Sequence, residues 1–190
     1  MLGAVTLALV CVAGPPSAQA LTLEFRIYRG SEDVTARTRV TLHRAGDRDR
    51  PVAVIKAADA HTVKVPAGIY DAQAIEEHGG RVLNIRWAER LVVMPYPDEG
   101  GHHLEVINFT TGYGALQIRG PDSGSSFEEV ALYAANERAQ PTATAGTSGR
   151  PILFVVQAGQ YDIQVRRRSG ASWHTNIEVP LDRTRLWIVP

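Results

Sequence analysis

One heptapeptide is written twice in this chain. Residues 67–73 read AGIYDAQ and residues 158–164 read AGQYDIQ, 91 positions apart, with Ala, Gly, Tyr, Asp and Gln shared. A motif repeated over such a distance constrains the chain to build the same corner twice, and fixed-period similarity is the signature of a duplicated unit. The agreement continues outward in order. Val40-Thr41-Leu42-His43 answers to Val130-Ala131-Leu132-Tyr133 and Asn84-Ile85 to Asn176-Ile177. Leu104 to Ile107 answers to Leu186 to Val189 once 94–101 is treated as an insertion. Drift in loop length inside two copies of one unit produces such small changes of offset. The expected joint is Thr110-Thr111-Gly112, which divides residues 21–111 from 112–190.

Within each copy the dominant pattern has period two. Leu21, Leu23, Phe25 and Ile27 alternate with Thr22, Glu24 and Arg26, as a half-buried strand requires. Val40-Thr41-Leu42-His43, Thr62-Val63-Lys64-Val65, Leu104-Glu105-Val106-Ile107 and Ile177-Glu178-Val179 repeat the pattern. Turn formers such as Gly46-Asp47, Gly79-Gly80, Gly120-Pro121-Asp122 and Ser169-Gly170 separate them. The expectation is an all-β chain of two tandem antiparallel β-sandwich domains. Pro151 to Val156 is a continuous apolar run, expected as a strand covered on both faces, and Trp87 to Met94 is the one stretch with helical potential.

The heptapeptide reads as a corner of such a sandwich. Gly68 and Gly159 follow the end of one strand, where a positive φ is open to glycine. In the next strand Tyr70, Ala72 and Ala74 share one face, as do Tyr161, Ile163 and Val165, while Asp71, Gln73, Asp162 and Gln164 face the other way. A tyrosine there is placed to bury its ring and give its hydroxyl proton to nearby backbone, in the manner of a tyrosine corner.

Residues 1–20 are uncharged and apolar, shorter than a comfortable membrane span, and end in Ser17-Ala18-Gln19-Ala20. They are expected to be a signal peptide cleaved after Ala20, making the chain periplasmic or secreted with no membrane span after cleavage. The rival reading, a lipid anchor on Cys11, lacks a small residue directly ahead of the cysteine. Cys11 is the sole cysteine, so the remaining chain holds no disulfide and each copy must rest on its own core. Twenty basic residues balance twenty acidic ones. That balance leaves no electrostatic footprint for nucleic acid.

The phrase VKVPAGIYDAQ resembles the PAG-x-Y edge of bacterial carboxypeptidase-regulatory-like and transthyretin-like modules, Ig-like sandwiches common in exported proteins. The likeness covers the heptapeptide and the strand rhythm of both halves. It implies a non-catalytic module used for adhesion, positioning or binding. Tyr28-Arg29-Gly30-Ser31 resembles the tail of transthyretin-related hydroxyisourate hydrolases, but it follows the first strand instead of closing the chain, so it is read as a turn.

No pattern of catalytic or cofactor-binding residues emerges, and neither an enzyme nor a cofactor is expected. The histidines show no helical pair for zinc. The best metal alternative is Asp98-Glu99-Gly100-Gly101-His102-His103, though adjacent histidines on a strand point apart. There is no Gly-x-Ser-x-Gly, and the pairs Glu76-Glu77 and Glu128-Glu129 diverge on a strand, so neither forms an acid/base couple. Arg166-Arg167-Arg168 reads as a solvated strand end. Trp87, Tyr96, Asp98, His102, His103 and Trp173 are the candidate ligand contacts, with Trp187 a third indole; core packing is the commoner fate of a tryptophan. The expected partner is a protein of the cell envelope, through a strand edge or an apolar patch, or else a glycan stacked on an exposed indole.

Overall fold

The computed structural model describes residues 20–95, 101–121, 127–146 and 152–190. The first half is built from β1 (Ala20–Arg29), β2 (Glu32–Asp33), a 3-10 turn at Thr35–Arg37, β3 (Thr38–Arg44), β4 (Asp47–Ile55), β5 (Thr62–Pro66), β6 (Gly68–His78), β7 (Arg81–Val93) and β8 (His102–Asn108). The second half runs through β9 (Tyr113–Arg119), β10 (Glu129–Ala134), β11 (Ala143–Gly146), β12 (Ile152–Gln157), β13 (Gly159–Arg167), β14 (Gly170–Val179) and β15 (Thr184–Ile188).

The two halves have the same topology. β5, β1 and β8 form one sheet, with β2 beside the far end of β1, and β4-β3-β6-β7 form the sheet that faces it. In the second half the order is β12-β9-β15 against β11-β10-β13-β14. Among the described residues pairing is antiparallel except once per half, where the first and last strands lie parallel: β1 beside β8 and β9 beside β15. Each sandwich is therefore closed by the strand that ends it, a departure from the purely antiparallel expectation. Leu23 pairs with His103 and Leu116 with Arg185. This register makes Leu104 to Ile107 equivalent to Leu186 to Val189, as the sequence alignment has it.

Alternation becomes burial. Leu21, Leu23, Phe25 and Ile27 are buried on β1 and join Val40, Leu42, Tyr70, Ala72, Ala74, Leu91 and Val93 in one core. Leu116, Ile118, Val130, Leu132, Ile152, Phe154, Tyr161, Ile163 and Val165 form a separate core with Val189. At about 25 cal/mol per Å2 of apolar surface, each large side chain buried in this way contributes roughly 1.5–3 kcal/mol before entropy is counted.

Three local expectations are overturned. Trp87 to Met94 is no helix: Trp87 to Val93 continue the strand β7, paired to β6, with Leu91 and Val93 buried and Val92 exposed between them. The available edge of β6 and two β-branched valines favour extension over the weak helical signal. β12 is covered fully on one face only, with Ile152 and Phe154 buried and Leu153 and Val155 half-buried; Pro151 lies outside the described residues. Asn84-Ile85 is not the counterpart of Asn176-Ile177. Tyr161 pairs with Ile177 and Tyr70 with Leu91, so Arg90-Leu91 occupies that place.

The halves meet along a seam. The Val106 amide donates to Thr184 Oγ1 at 2.9 Å, Arg183 donates to the Glu89 carbonyl at 3.0 Å, and Arg86 pairs with Asp182 at 2.6 Å. A cavity of about 300 Å3 lies along the seam, between Trp87, Ala88 and Val106 of the first half and Tyr113, Leu181 and Asp182 of the second.

Candidate binding surface

The repeated corner is built twice in the same way. Tyr70 donates its hydroxyl proton to the Pro66 carbonyl at 2.7 Å, and Tyr161 donates to the Gln157 carbonyl at 2.7 Å, each reaching four residues back. Both rings are buried, and burial raises both phenols above their usual pKa. The glycines act differently from expectation. Neither Gly68 nor Gly159 has a positive φ; both open an extended strand. The nearest neighbours of a Cβ on Gly68 would be an Arg44 guanidinium nitrogen at 2.8 Å, the far end of a flexible exposed side chain, and the Tyr70 ring at 3.4 Å, so the place is snug but not closed to a side chain. At Gly159 the Tyr161 ring is 3.9 Å from where a Cβ would stand, ordinary contact with more room.

The shared aspartate closes a β-bulge. Pairing of β6 with β7 slips between Tyr70 and Ala72, and pairing of β13 with β14 slips between Tyr161 and Ile163, so Asp71 and Asp162 each lie opposite an extra residue. Arg90 and Asn176 take positive φ there, 55° and 58°. Their amides donate to Asp71 Oδ1 at 2.9 Å and Asp162 Oδ1 at 3.3 Å. The bulge thus holds a backbone N–H turned out of the ladder, and the carboxylate receives it. The Arg90 amide, helped by the Gly46 amide and Arg48, holds the Asp71 carboxyl below its usual range against the opposing effect of burial.

Around each aspartate lies a matched set of side chains on the outer face of the four-stranded sheet. Arg48 lies 4.1 Å over the Trp87 ring and 3.6 Å from Asp71, with His43 at 5.6 Å from the indole. Arg138 lies 4.4 Å over the Trp173 ring and 3.3 Å from Asp162, with Tyr133 at 5.0 Å. Trp87 pairs across to Gln73 and Trp173 to Gln164, the last residue of each heptapeptide. Arg48 and Arg138 stand 90 residues apart, the offset already carried by His43 and Tyr133, so extending the repeat alignment past Tyr133 would have found the arginines. In the first sandwich Arg48 also bonds Glu89, and in both an arginine stacked on an indole beside a buried carboxylate gives a flat polar platform.

Of the candidates singled out in the sequence, those among the described residues do not converge. Trp87 and Trp173 sit on different sandwiches, half-buried and 36% exposed. Trp187 on β15 packs against the second core, edge-on to His174 at 5.0 Å. His102 and His103 are on strand β8 and turn to different carboxylates, His102 to Glu24 at 2.9 Å and His103 to Glu105 at 2.9 Å. Tyr96 and Asp98 lie outside the described residues. Among the described residues no group of three or more His, Cys, Asp or Glu is arranged to hold a metal ion. Tyr28-Arg29-Gly30-Ser31 ends β1 in a turn, Gly30 having φ 63° and its amide donating to Asn108 Oδ1 at 3.0 Å. Glu76 and Glu77 diverge as expected, one buried and one exposed.

Apolar exposure concentrates on the first sandwich. Val82, Leu83 and Ile85 are 54%, 48% and 58% exposed on the edge strand β7, and Val52 and Val54 are exposed on β4 at the opposite edge of the same sheet. No helix among the described residues is long and apolar enough to cross a membrane.

No family model matches the sequence, and no curated protein matches it. Among solved structures, the chain is similar to the TIE protein of Bacillus anthracis at 15% identity and a TM-score of 0.31, over 88% of this chain and 33% of that one. It spans about a third of that structure's length. A candidate adhesin from Bacteroides ovatus aligns at 9% identity and a TM-score of 0.33, over 100% of this chain and 95% of the other. The C-terminal fragment of the pilus adhesin SpaC from Lactobacillus rhamnosus GG aligns at 10% identity and 0.27, over 90% and 97%.

Proposed function

We propose that this chain is an exported, non-catalytic tandem β-sandwich protein, a binding or scaffold module of the bacterial cell envelope whose partner is another protein. Its signal segment ends at Ala20, and its sandwiches divide between residues 111 and 112. The reading rests on the exposed Val82, Leu83 and Ile85 on β7. Among the described residues that strand pairs with β6 alone, so apolar side chains and unpaired backbone sit together near Ile85, as strand addition or patch burial by a protein requires. The buried ionisable groups of the corner fit a structural part: Asp71 and Asp162 hold bulges, and Glu76 accepts from Arg37 at 2.7 Å and Asn84 at 2.6 Å. A photo-crosslinking residue placed at Ile85 in cells is expected to give one discrete protein adduct that Val82→Glu abolishes; absence of any adduct in the envelope fraction overturns the reading.

A glycan partner is the second reading, favoured by Trp173, which is 36% exposed beside Arg138. It requires binding on a glycan array that Trp173→Ala removes and Val82→Glu leaves intact.

A further inference from the structure

His61 stands between β4 and β5 and is only 7% exposed, yet both its ring nitrogens are engaged. Nδ1 lies 2.9 Å from the Asp59 carbonyl oxygen and Nε2 lies 2.7 Å from the Thr38 carbonyl oxygen. A carbonyl oxygen can only accept, and a neutral imidazole has one N–H. Neutral His61 would therefore set a nitrogen lone pair against a carbonyl lone pair at one of the two contacts. Only the imidazolium satisfies both.

The groups that line the cleft with His61 are suited to a cation. Glu24 and Arg26 come from β1 and pair with each other at 2.9 Å, Glu24 also meeting His102 of β8 at 2.9 Å, while Asp33 of β2 and Asp59 of the loop itself leave the lining acidic. Of the other charged groups nearby, Lys56 stands at the start of the loop, Lys64 is on β5, Arg37 turns away to Glu76 and Glu32, and Arg39 turns to Glu77.

The position matters because the 56–61 loop ties one sheet to the other. The His61 carbonyl accepts from the Phe25 amide at 2.8 Å on β1, Ala58 takes a positive φ of 68°, and its amide donates to the Ala36 carbonyl at 2.8 Å. The imidazole supplies the link to Thr38 at the start of β3, in the facing sheet. A cleft of about 480 Å3 lies beside this loop.

We propose that His61 is a proton-operated latch: charged, it clamps the 56–61 loop across the two sheets of the first sandwich, and loss of its proton releases one of the two bonds and loosens the loop. Charge on the ring is what satisfies both carbonyls, so the clamp belongs to the protonated form and weakens when the proton leaves. The shorter contact to Thr38 is kept by the Nε2–H tautomer, and the contact to Asp59 is the one that opens.

The test uses the whole chain with 15N-labelled histidine. At about pH 5.5 both ring nitrogens of His61 are expected to show N–H character, and one is expected to lose it toward pH 8. Over the same range amide exchange at Ala58 and Phe25 is expected to quicken about tenfold beyond the intrinsic base-catalysed rise, and His61→Gln is expected to abolish that excess. A single neutral tautomer throughout overturns the proposal, and so does an exchange excess that persists in His61→Gln. If His61→Gln does not fold, the ring-nitrogen titration of the unaltered chain decides alone.

Discussion

The two sandwiches share a strand order, a tyrosine bonded four residues back and an aspartate that closes a bulge, yet they are stabilised differently at equivalent places. Glu76 in the first corresponds to Arg167 in the second, 91 residues on. Glu76 is fully buried and joins Arg37, Arg29 and Asn84. Arg167 is half-buried and lies 5.5 Å over the Phe127 ring. Leu21 corresponds to Gly114, since they pair with Val65 and Val156 ahead of the two heptapeptides. The first is a core side chain; at the second a Cβ would fall 2.0 Å from the Pro180 carbonyl oxygen. What was duplicated and kept is the corner, whose bonds are set by backbone geometry. What diverged is the wall, where any filling of the right volume and charge suffices.

Unfolding followed separately by fluorescence at Trp87 and at Trp173 and Trp187 offers ways to break that comparison. The largest expected effect is Gly114→Ala, which should cost the second sandwich about 3 kcal/mol by overpacking against backbone that cannot withdraw and should leave the first near its original midpoint. Equal losses in both transitions would show that the halves unfold as one body.

Glu76→Gln should destabilise the first sandwich by about 2 kcal/mol, below the range for a fully buried pair because Arg37 and Arg29 are 36% and 42% exposed. Acid sharpens the same contrast. Burial would raise the Glu76 carboxyl, but donation from Asn84 and Arg37 outweighs it and leaves it below its usual range, and the Arg90 amide does the same for Asp71. Both carboxylates then stabilise the fold above their unfolded values near pH 4, and that contribution is lost as pH falls through the lower folded values. Denaturant midpoints measured downward from about pH 5 should fall for the first transition, and Glu76→Gln should flatten the fall.

Tyr70→Phe and Tyr161→Phe should each cost about 1 kcal/mol in their own sandwich, because each removes one hydrogen bond to a backbone carbonyl and keeps the ring. A cost in one half only would mean that the corners are alike in shape but not in energy. The smallest effect separates the bulges. Arg90→Gly should stabilise by up to about 1 kcal/mol by relieving a positive φ, whereas Asn176→Gly should change little, since asparagine tolerates that conformation.

Strand positions were legible because alternation follows directly from the pleat, and Tyr70 and Tyr161 were legible because the repeat marks them twice. Trp87 to Met94 misled, since a short apolar run carries no period that separates helix from strand until β6 supplies an edge. Gly68 misled as well: a glycine after a strand end suggests positive φ, and the structure gives it extended backbone at the head of β6. The arginine platforms were missed because Arg48 and Asp71 are 23 residues apart and become neighbours only across three strands.

The residues by themselves determined an all-β chain, its duplication and the two tyrosine corners, since these depend on side-chain period and on contacts a few residues away. The tertiary structure alone decided the parallel closing strands, the bulge aspartates, the seam between the halves and the two carbonyls facing His61. Apart from the Asp59 carbonyl beside His61, each of these joins groups distant in the chain, whose meeting depends on strand register and sheet twist, and neither is written in local composition.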